Sequence, residues 1–149
     1  MPILIHKVFA YVTHGQRLLV FRHADFPHAG VQVPAGTVQP NEHPDKAVLC
    51  EVYEETGLSA FAEVCFLGEH IRNMADFHRD EIHHRYFYHL PNPGDPPTAW
   101  RHDETSGSTT KPIVFEFFWA DLPNGVPELI ADHGKLLPVL LKRLSFKVE

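Results

Sequence analysis

The alternation of apolar and polar residues predicts that the chain begins with paired strands. Residues 3–22 alternate loosely and are rich in β-branched and aromatic side chains, with His-Gly-Gln as a turn between two runs, so we expect a β-hairpin. A short strand that ends in a Pro-Ala-Gly turn follows at residues 31–36. Residues 60–71 and 83–90 have the composition of two further strands joined by a polar stretch. Most of the first ninety residues therefore predict a sheet.

Helical spacing occurs in two places. Residues 45–57 carry apolar positions at helical intervals and end in Gly57, a predicted C-cap. Residues 133–144 predict a second helix, which Pro138 either starts or kinks.

The stretch between these helices adds one strand and one loop. Residues 91–112 hold five prolines and a run of small polar residues, which predicts a long surface loop. The apolar run at 113–122 predicts a strand. Because the chain shows neither a repeat nor a linker, we expect a single domain over residues 1–149. With too few βαβ units for a doubly wound sheet, the fold class is α+β or a three-layer α/β sandwich.

Composition narrows the functional classes. The 149 residues are 44% hydrophobic and 21% charged, with a net charge of −6, which argues against binding to duplex nucleic acid. A small anionic substrate remains compatible if a metal ion neutralises it. We see no signal peptide and no stretch long enough to cross a membrane. Two cysteines, Cys50 and Cys65, form no CxxC pair, so a cytoplasmic location is expected.

The helix at 45–57 carries an unusual cluster of like charges. At about 100° per residue, Glu51, Glu54 and Glu55 fall on one side of the helix. The opposite side, which can pack on a sheet, consists of Val48, Leu49, Val52 and Thr56. The spacing fits two interpretations: a solvated acidic face, or a site for one or two hard divalent cations, which prefer oxygen ligands.

The residues around this helix resemble a known family signature. From Gly36 to Leu58 the sequence follows G-x5-E-x7-R-E-U-x-E-E-x-G-U, where U is a bulky aliphatic residue, in the register of the Nudix hydrolases. Eight of the nine specified positions match, and Cys50 stands where the family has arginine. The length of this match favours the metal-site interpretation.

The resemblance implies a fold, an activity and a set of site residues. The expected fold is a Nudix-type α/β/α sandwich with a mixed central sheet. The expected reaction is hydrolysis of a diphosphate linkage, by water attack on phosphorus, in a nucleoside diphosphate linked to another moiety, such as a nucleoside triphosphate or a nucleotide sugar. Mg²⁺ or Mn²⁺ would be held by the side chains of Glu51, Glu54 and Glu55 and by the carbonyl of Ala35. Gly36, Glu42 and Gly57 would have structural roles in the motif.

The general base and the substrate contacts are less determined. In the family the base is either a glutamate of the box, here Glu54, or a glutamate of a later loop, here Glu104, with Glu116 a second choice. Arg22 and Arg85 are candidate ligands for substrate phosphate, although surface or packing roles are equally compatible with their positions.

Cys50 raises an alternative function. A thiol cannot pair with a neighbouring carboxylate as the box arginine does, so metal affinity or turnover is expected to be reduced. The alternative is therefore a catalytically weak Nudix-fold module that binds or senses nucleotides. In either case we expect a small nucleotide-type partner, no nucleic acid duplex and no membrane. A homodimer is a candidate assembly, since dimers are frequent in the family that the sequence resembles.

Overall fold

The computed structural model describes residues 1–104 and 113–146, with only the backbone of Glu104. Its strands are β1 (Ile3–His14), β2 (Arg17–His23), β3 (Ala35–Thr37), β4 (Cys65–Asn73), β5 (Glu81–Pro91), β6 (Ala99–Glu104) and β7 (Ile113–Asp121). Its helices are α1 (Pro44–Thr56) and α2 (Leu137–Arg143), with short 3₁₀ turns at Pro27–Ala29, Ala75–Phe77 and Ile130–Asp132.

These strands form one mixed sheet in the order β4-β5-β1-β2-β7-β6. Strands β1 and β5 are parallel along their whole length, from Ile3↔Glu81 to Thr13↔Pro91, and the remaining pairs are antiparallel. Along its other edge, β1 pairs with β2 near their connecting turn and with β3 at residues 7–9. The loop that carries Ala35 is thereby inserted beside the first half of β1.

The two helices cover opposite faces of the sheet. Because side chains alternate along a strand, Val8, Ala10 and Val12 belong to the core beneath α1, whereas Phe9 and Tyr11 belong to the core beneath α2. Burial of each such side chain stabilises the fold by about 1.5–3 kcal/mol. The expected α/β/α sandwich with a mixed central sheet is confirmed, with seven strands and two α-helices in the described residues.

Helix α1 begins and ends as expected but is rotated relative to the expectation. Pro44 occupies its first turn, and Gly57 ends it in the left-handed conformation, φ 81°, with its N–H bonded to the carbonyl of Tyr53. Leu49, expected on the packed side, is 36% exposed. Glu55 is buried instead, because α1 lies over β1 and β3 and turns that side of the helix toward the inserted loop.

One expected loop contains a strand. Residues 91–112 were expected to lack regular structure, but β6 forms within them and pairs with β7 from Ala99↔Phe118 to Glu104↔Ile113. The prolines precede this segment or follow it, so its backbone can donate to an edge ladder. Trp100 stacks on Phe117 at 5.2 Å between ring centroids, which attaches the strand to the core. Residues 105–112 lie outside the described residues.

The C-terminal helix is shorter than expected. It begins at Leu137, so Pro138 lies in its first turn and starts the helix without kinking it. In the part of the chain that the structure describes, neither helix has the length and apolar character needed to cross a membrane.

Candidate active site

The inserted loop brings a backbone segment against the acidic side of α1. Glu55 is 8% exposed, and its Oε1 accepts a hydrogen bond from the N–H of Ala35 at 2.8 Å. On the other side of β3, the N–H of Ala10 donates to the carbonyl of Pro34 at 2.9 Å. Successive strand residues direct their polar backbone groups to opposite sides. The carbonyl of Ala35 therefore points to the same side as its N–H, toward α1.

Gly36 allows the closest approach between this segment and the helix. A Cβ atom built on Gly36 would overlap with Cγ, Cδ and Oε2 of Glu51. The space that any other residue would fill is thus occupied by the Glu51 carboxylate. Glu51 is therefore confined against the backbone of Gly36, next to Ala35.

Glu54 lies on the neighbouring, exposed part of the same helix. Its backbone carbonyl accepts a hydrogen bond from Nε2 of His102 at 2.8 Å, and the carbonyl of Thr56 accepts one from Nε1 of Trp100 at 3.0 Å. Strand β6 therefore binds carbonyl groups at the end of α1 that have no partner within the helix. This support was not predicted from the sequence, because Trp100 and His102 were expected to lie in a loop.

The oxygen atoms near Ala35 suit a hard cation in their chemistry. The carboxylates of Glu51 and Glu55 lie against the backbone of Ala35 and Gly36, which also carries the carbonyl of Ala35. Carboxylate and carbonyl oxygens are the ligands that Mg²⁺ and Mn²⁺ prefer. Within residues 1–104 and 113–146, no three His, Cys, Asp or Glu side chains form a cluster close enough to hold a metal ion. Glu51, Glu54 and Glu55 are therefore neighbours on one helix, but their three carboxylates are not gathered at one point.

A cleft of about 380 Å³ opens beside Glu55. It lies on the α2 face of the sheet, between β1 and β5 on one side and the segment before α2 on the other. Its charged and titratable lining residues are Lys7, Glu55, Arg79, His83, Arg85 and His133. One end of the cleft is therefore acidic and the rest is basic.

Arg85 is the most buried of these cations. Its side chain is 1% exposed, and the guanidinium lies over the ring of Phe9, 4.6 Å from the centroid. Nη1 donates to the carbonyl of Ala131, and Nη2 approaches Sδ of Met74 at 3.5 Å and Nδ1 of His83 at 3.3 Å. Burial lowers the pKa of Arg85 to about 10, so the group is still charged at neutral pH.

His83 connects Arg85 to a carboxylate. Arginine only donates hydrogen bonds, so Nδ1 of His83 accepts from Arg85, and the ring proton is assigned to Nε2. Nε2 lies 3.0 Å from Oε1 of Glu81 and donates to it. Burial lowers the pKa of His83, which favours this neutral form. The three residues form a chain of hydrogen bonds that orients the Arg85 guanidinium.

His133, at the opposite wall, is also fixed in one neutral form. Its Nδ1 accepts the backbone N–H of Val33 at 3.2 Å, so the ring proton is on Nε2. Burial, with a smaller effect from nearby cations, lowers the pKa of His133 to about 3. The residue therefore presents a hydrogen-bond donor and no charge at neutral pH.

Lys7 lies between the acidic and basic parts of the cleft. Burial is the largest influence on its pKa and lowers it, while the charges of Glu55 and Glu51 act in the opposite direction. Nζ donates to Oγ1 of Thr37 at 3.3 Å. Lys7 is thus close enough to both carboxylates to contribute to their electrostatic environment.

Several other residues singled out in the sequence lie outside this cleft. Arg22 packs over the ring of Phe118, 5.0 Å from the centroid, in a surface depression that also contains Glu116. Arg101 pairs with that glutamate at 3.2 Å. The structure therefore brings Arg85, but not Arg22, next to the acidic end of the cleft.

Three further residues singled out in the sequence lie away from the cleft or beyond the described side chains. Oε1 of Glu42 accepts the N–H of Gln39 at 3.0 Å and so stabilises the turn that leads into α1. Cys50 is exposed on α1. Glu104 is the last residue of β6, and its side chain lies outside the described residues.

The sequence alone did not identify four polar residues of the cleft, namely Lys7, Arg79, His83 and His133. Lys7 and Phe9 alternate on β1, and His83 and Arg85 alternate on β5, so each pair shares one face of the sheet. This alternation was present in the sequence. The sequence did not show, however, that β1 and β5 are neighbours in the sheet.

Comparisons with known proteins agree with this architecture. A family model described as the NUDIX domain matches residues 5–137, whereas a search of curated proteins found no match. The fold is similar to that of the MutT protein from Methanosarcina mazei Go1, with a TM-score of 0.68, 18% identity and 98% of each chain covered.

Two further solved structures share the fold. The ORF135 protein of E. coli has a TM-score of 0.65 and 21% identity over 99% of this chain and 96% of its own. The NUDIX domain of Shewanella oneidensis NrtR, whose structure contains ADP-ribose, has a TM-score of 0.65 and 17% identity, covering 97% of this chain and 89% of its own.

The fold and the family model together define the class of protein. The chain belongs to the Nudix hydrolase family, whose domain model matches residues 5–137.

Proposed function

We propose that the protein hydrolyses a diphosphate linkage in a nucleoside diphosphate joined to another moiety, with Mg²⁺ or Mn²⁺ as the cofactor. The observation that carries this proposal is the position of the Ala35 segment. There Glu51, Glu55 and a backbone carbonyl adjoin a cleft that contains three cationic side chains. Positive charge beside a metal-binding end attracts an anionic substrate.

The residues divide into three roles. Glu51, Glu54, Glu55 and the carbonyl of Ala35 would hold the metal, which when bound neutralises the diphosphate and lowers the pKa of water. Glu54 or Glu104 would take the proton from the attacking water. Arg85 would contact the substrate from inside the cleft. For Arg22, which lies elsewhere, a substrate contact would require the substrate to extend across the sheet.

The substrate is a small molecule of the nucleotide type, such as a nucleoside triphosphate or a nucleotide sugar. The cleft volume of about 380 Å³ lies at the small end of ligand sites. Two free cysteines, Cys50 and Cys65, are compatible with a cytoplasmic location. A homodimer also belongs to the proposal, and measurement of the mass in solution would test it.

A second candidate function is nucleotide binding with weak catalysis. It is favoured by Cys50, which is exposed on α1 and supplies no positive charge to hold Glu54 toward the other carboxylates. The domain of NrtR, which shares this fold, contains ADP-ribose in its structure. Under this alternative the cleft would bind a nucleotide without appreciable turnover.

Phosphate release from a panel of substrates separates the two functions. Nucleoside triphosphates, ADP-ribose, nucleotide sugars and dinucleoside polyphosphates are incubated with Mg²⁺ and then with Mn²⁺, together with a Glu54→Gln variant. We expect turnover that requires the metal and falls by about 10²- to 10⁴-fold in the variant. Nucleotide binding without turnover on any substrate would favour the binding module.

A further inference from the structure

The basic part of the cleft contains two cations side by side, of which Lys7 also lies near the charges of Glu55 and Glu51. Lys7 and Arg85 are directly opposite each other on the parallel strands β1 and β5, and both line the cleft. Like charges at opposed positions destabilise a sheet. Arg79 adds a third positive charge to the lining, from the connection between β4 and β5.

Arg85 is not neutralised by its own contacts. The partners of its two Nη atoms are a carbonyl, a thioether and an imidazole, all of them uncharged. Its Nε is buried and has no hydrogen-bond partner in the described part of the chain. A buried charge of this kind is costly unless it is paired.

The nearest acidic groups on that side of the fold are already engaged. Asp76 and Asp132 both accept hydrogen bonds from Arg72, at 2.8–2.9 Å, and are about half exposed. Neither lines the cleft that holds Arg85. The carboxylate that does so, Glu55, lies at the metal-binding end and bonds to Ala35.

The orientation of Arg85 is nevertheless fixed. The chain from Glu81 through His83 holds one Nη atom, and the carbonyl of Ala131 holds the other. His133 presents an N–H donor from the facing wall. The cleft thus offers donors and positive charge that are arranged before any ligand binds, which is how a selective anion site is built.

We propose that this cleft binds a phosphate group of the substrate that is additional to the diphosphate being cleaved. This inference rests on the proposed function, because it assumes that the scissile diphosphate is bound at Glu51, Glu55 and Ala35. The substrate is then a phosphorylated nucleotide-type molecule, with a phosphate monoester or a third phosphate beyond the reacting pair. Glu81 and His83 are positioning residues, since they act through Arg85.

Matched substrate pairs that differ by one phosphate test the proposal. Suitable pairs are NADH and NADPH, ADP-ribose and its 2′-phosphate, and a nucleoside diphosphate with its triphosphate. We expect kcat/KM to favour the phosphate-rich member by about tenfold or more, mainly through KM, because a charge-assisted contact has roughly that effect. Equal values within every pair, with hydrolysis intact, would refute the anion site and leave the proposed function standing.

Variants locate the effect. Arg79→Gln removes an exposed cation of the cleft, and His83→Gln disturbs the support of Arg85. Both should reduce the preference within a pair severalfold, because they raise KM for the phosphate-rich member more than KM for the other member. The matched control is Arg17→Gln, because Arg17 pairs with Asp121 on the surface, away from the cleft. An equal loss of preference in this control would contradict the assignment.

Binding of inorganic phosphate provides a readout that does not depend on turnover. Titration calorimetry without metal should show binding to the wild type that is weakened about tenfold in Arg79→Gln and unchanged in Arg17→Gln. If no substrate is hydrolysed but phosphate binds with this pattern, the anion site is supported and the proposed hydrolysis fails. If neither is observed, both proposals fail.

Discussion

The acidic and basic walls of the cleft hold their charges in different ways. On the acidic wall, Glu55 lines the cleft and is buried against the N–H of Ala35, whereas Glu51 is partly exposed and Glu54 is exposed on the same helix. On the basic wall, Arg85 is 1% exposed and bonds to groups from three separate segments of the chain. The exposed side chain of Glu54 can adjust to an ion, whereas Arg85 is held in place before a ligand binds.

This difference suggests different sensitivities. The acidic wall depends on one close approach between α1 and the loop at Ala35. The basic wall depends on neutral histidines and on the register of two distant strands. A change in pH should therefore affect the basic wall through its buried histidines. A single methyl group added at Gly36 should affect the acidic wall.

The largest expected effect is a loss of stability on mild acidification. Burial lowers the pKa of His133 to about 3 and that of His89 to about 4, whereas an unfolded histidine titrates near 6.5. Below about pH 6.5 the unfolded chain therefore binds protons that the folded protein does not. The free energy of unfolding should fall by about 1.4 kcal/mol per pH unit for each histidine, or about 4 kcal/mol in total at pH 5.

Urea unfolding at several pH values between 7 and 5 measures this slope. His89 accepts from Arg143 at 2.9 Å and contacts the hydroxyl of Thr13 at 2.7 Å, so His89→Asn lowers stability at every pH. The informative quantity is the slope, which should be roughly halved. A slope unchanged in this variant would show that His89 is not neutral in the folded protein.

Substitution of Gly36 by alanine should act on the acidic wall. The added Cβ would overlap with the Glu51 side chain, so either the carboxylate or the loop must move. We expect a loss of about 1–3 kcal/mol in stability and a fall of at least about tenfold in Mg²⁺ or Mn²⁺ affinity, measured by metal titration of the folded variant. The control Gly15→Ala lies in a turn where a Cβ would meet no neighbour within 4 Å but where φ is 58°, so it should lose some stability and keep its metal affinity. Metal affinity equal to wild type in Gly36→Ala would separate Glu51 from the metal site.

A smaller effect is expected where β6 supports α1. Trp100→Phe removes the donor to the carbonyl of Thr56 and should reduce stability by about 1 kcal/mol, with a measurable loss of kcat. Trp119→Phe is the matched control, because Trp119 donates in the same way to Pro97, away from α1. It should lose similar stability but no activity. Equal kinetic effects in both variants would argue against coupling between β6 and the helix.

The smallest expected effect concerns Cys50. Introducing arginine at this exposed position restores the charge that the family motif has beside Glu54. We expect metal affinity or turnover to increase severalfold, equivalent to about 1 kcal/mol or less for an exposed ion pair. Kinetics at limiting metal concentration measure it. Unchanged metal dependence and turnover in Cys50→Arg would mean that the cysteine is neutral for function.

The sequence predicted the acidic wall better than the basic one, for a physical reason. Glu51, Glu55 and Gly57 belong to one helix, so their spacing alone indicates their common side and its end. Gly36 was identified through the contiguous motif. By contrast, Lys7 and Arg85 meet because β1 and β5 are parallel neighbours, and a strand pattern does not specify its partner. Strand β6 was missed because nearby prolines outweighed the short alternation around Trp100.

The parallel pairing of β1 with β5 also has a consequence for how the protein reaches its folded state. Helix α1 consists of local contacts, and helices of this kind form within about a microsecond. The β1–β5 pairing closes a loop that includes β2, β3, α1 and β4, and contacts so distant in sequence slow folding. We therefore expect the acidic helix to form early and the substrate cleft to be among the last parts to assemble, so that the ability to select a ligand depends on the slowest contacts of the fold.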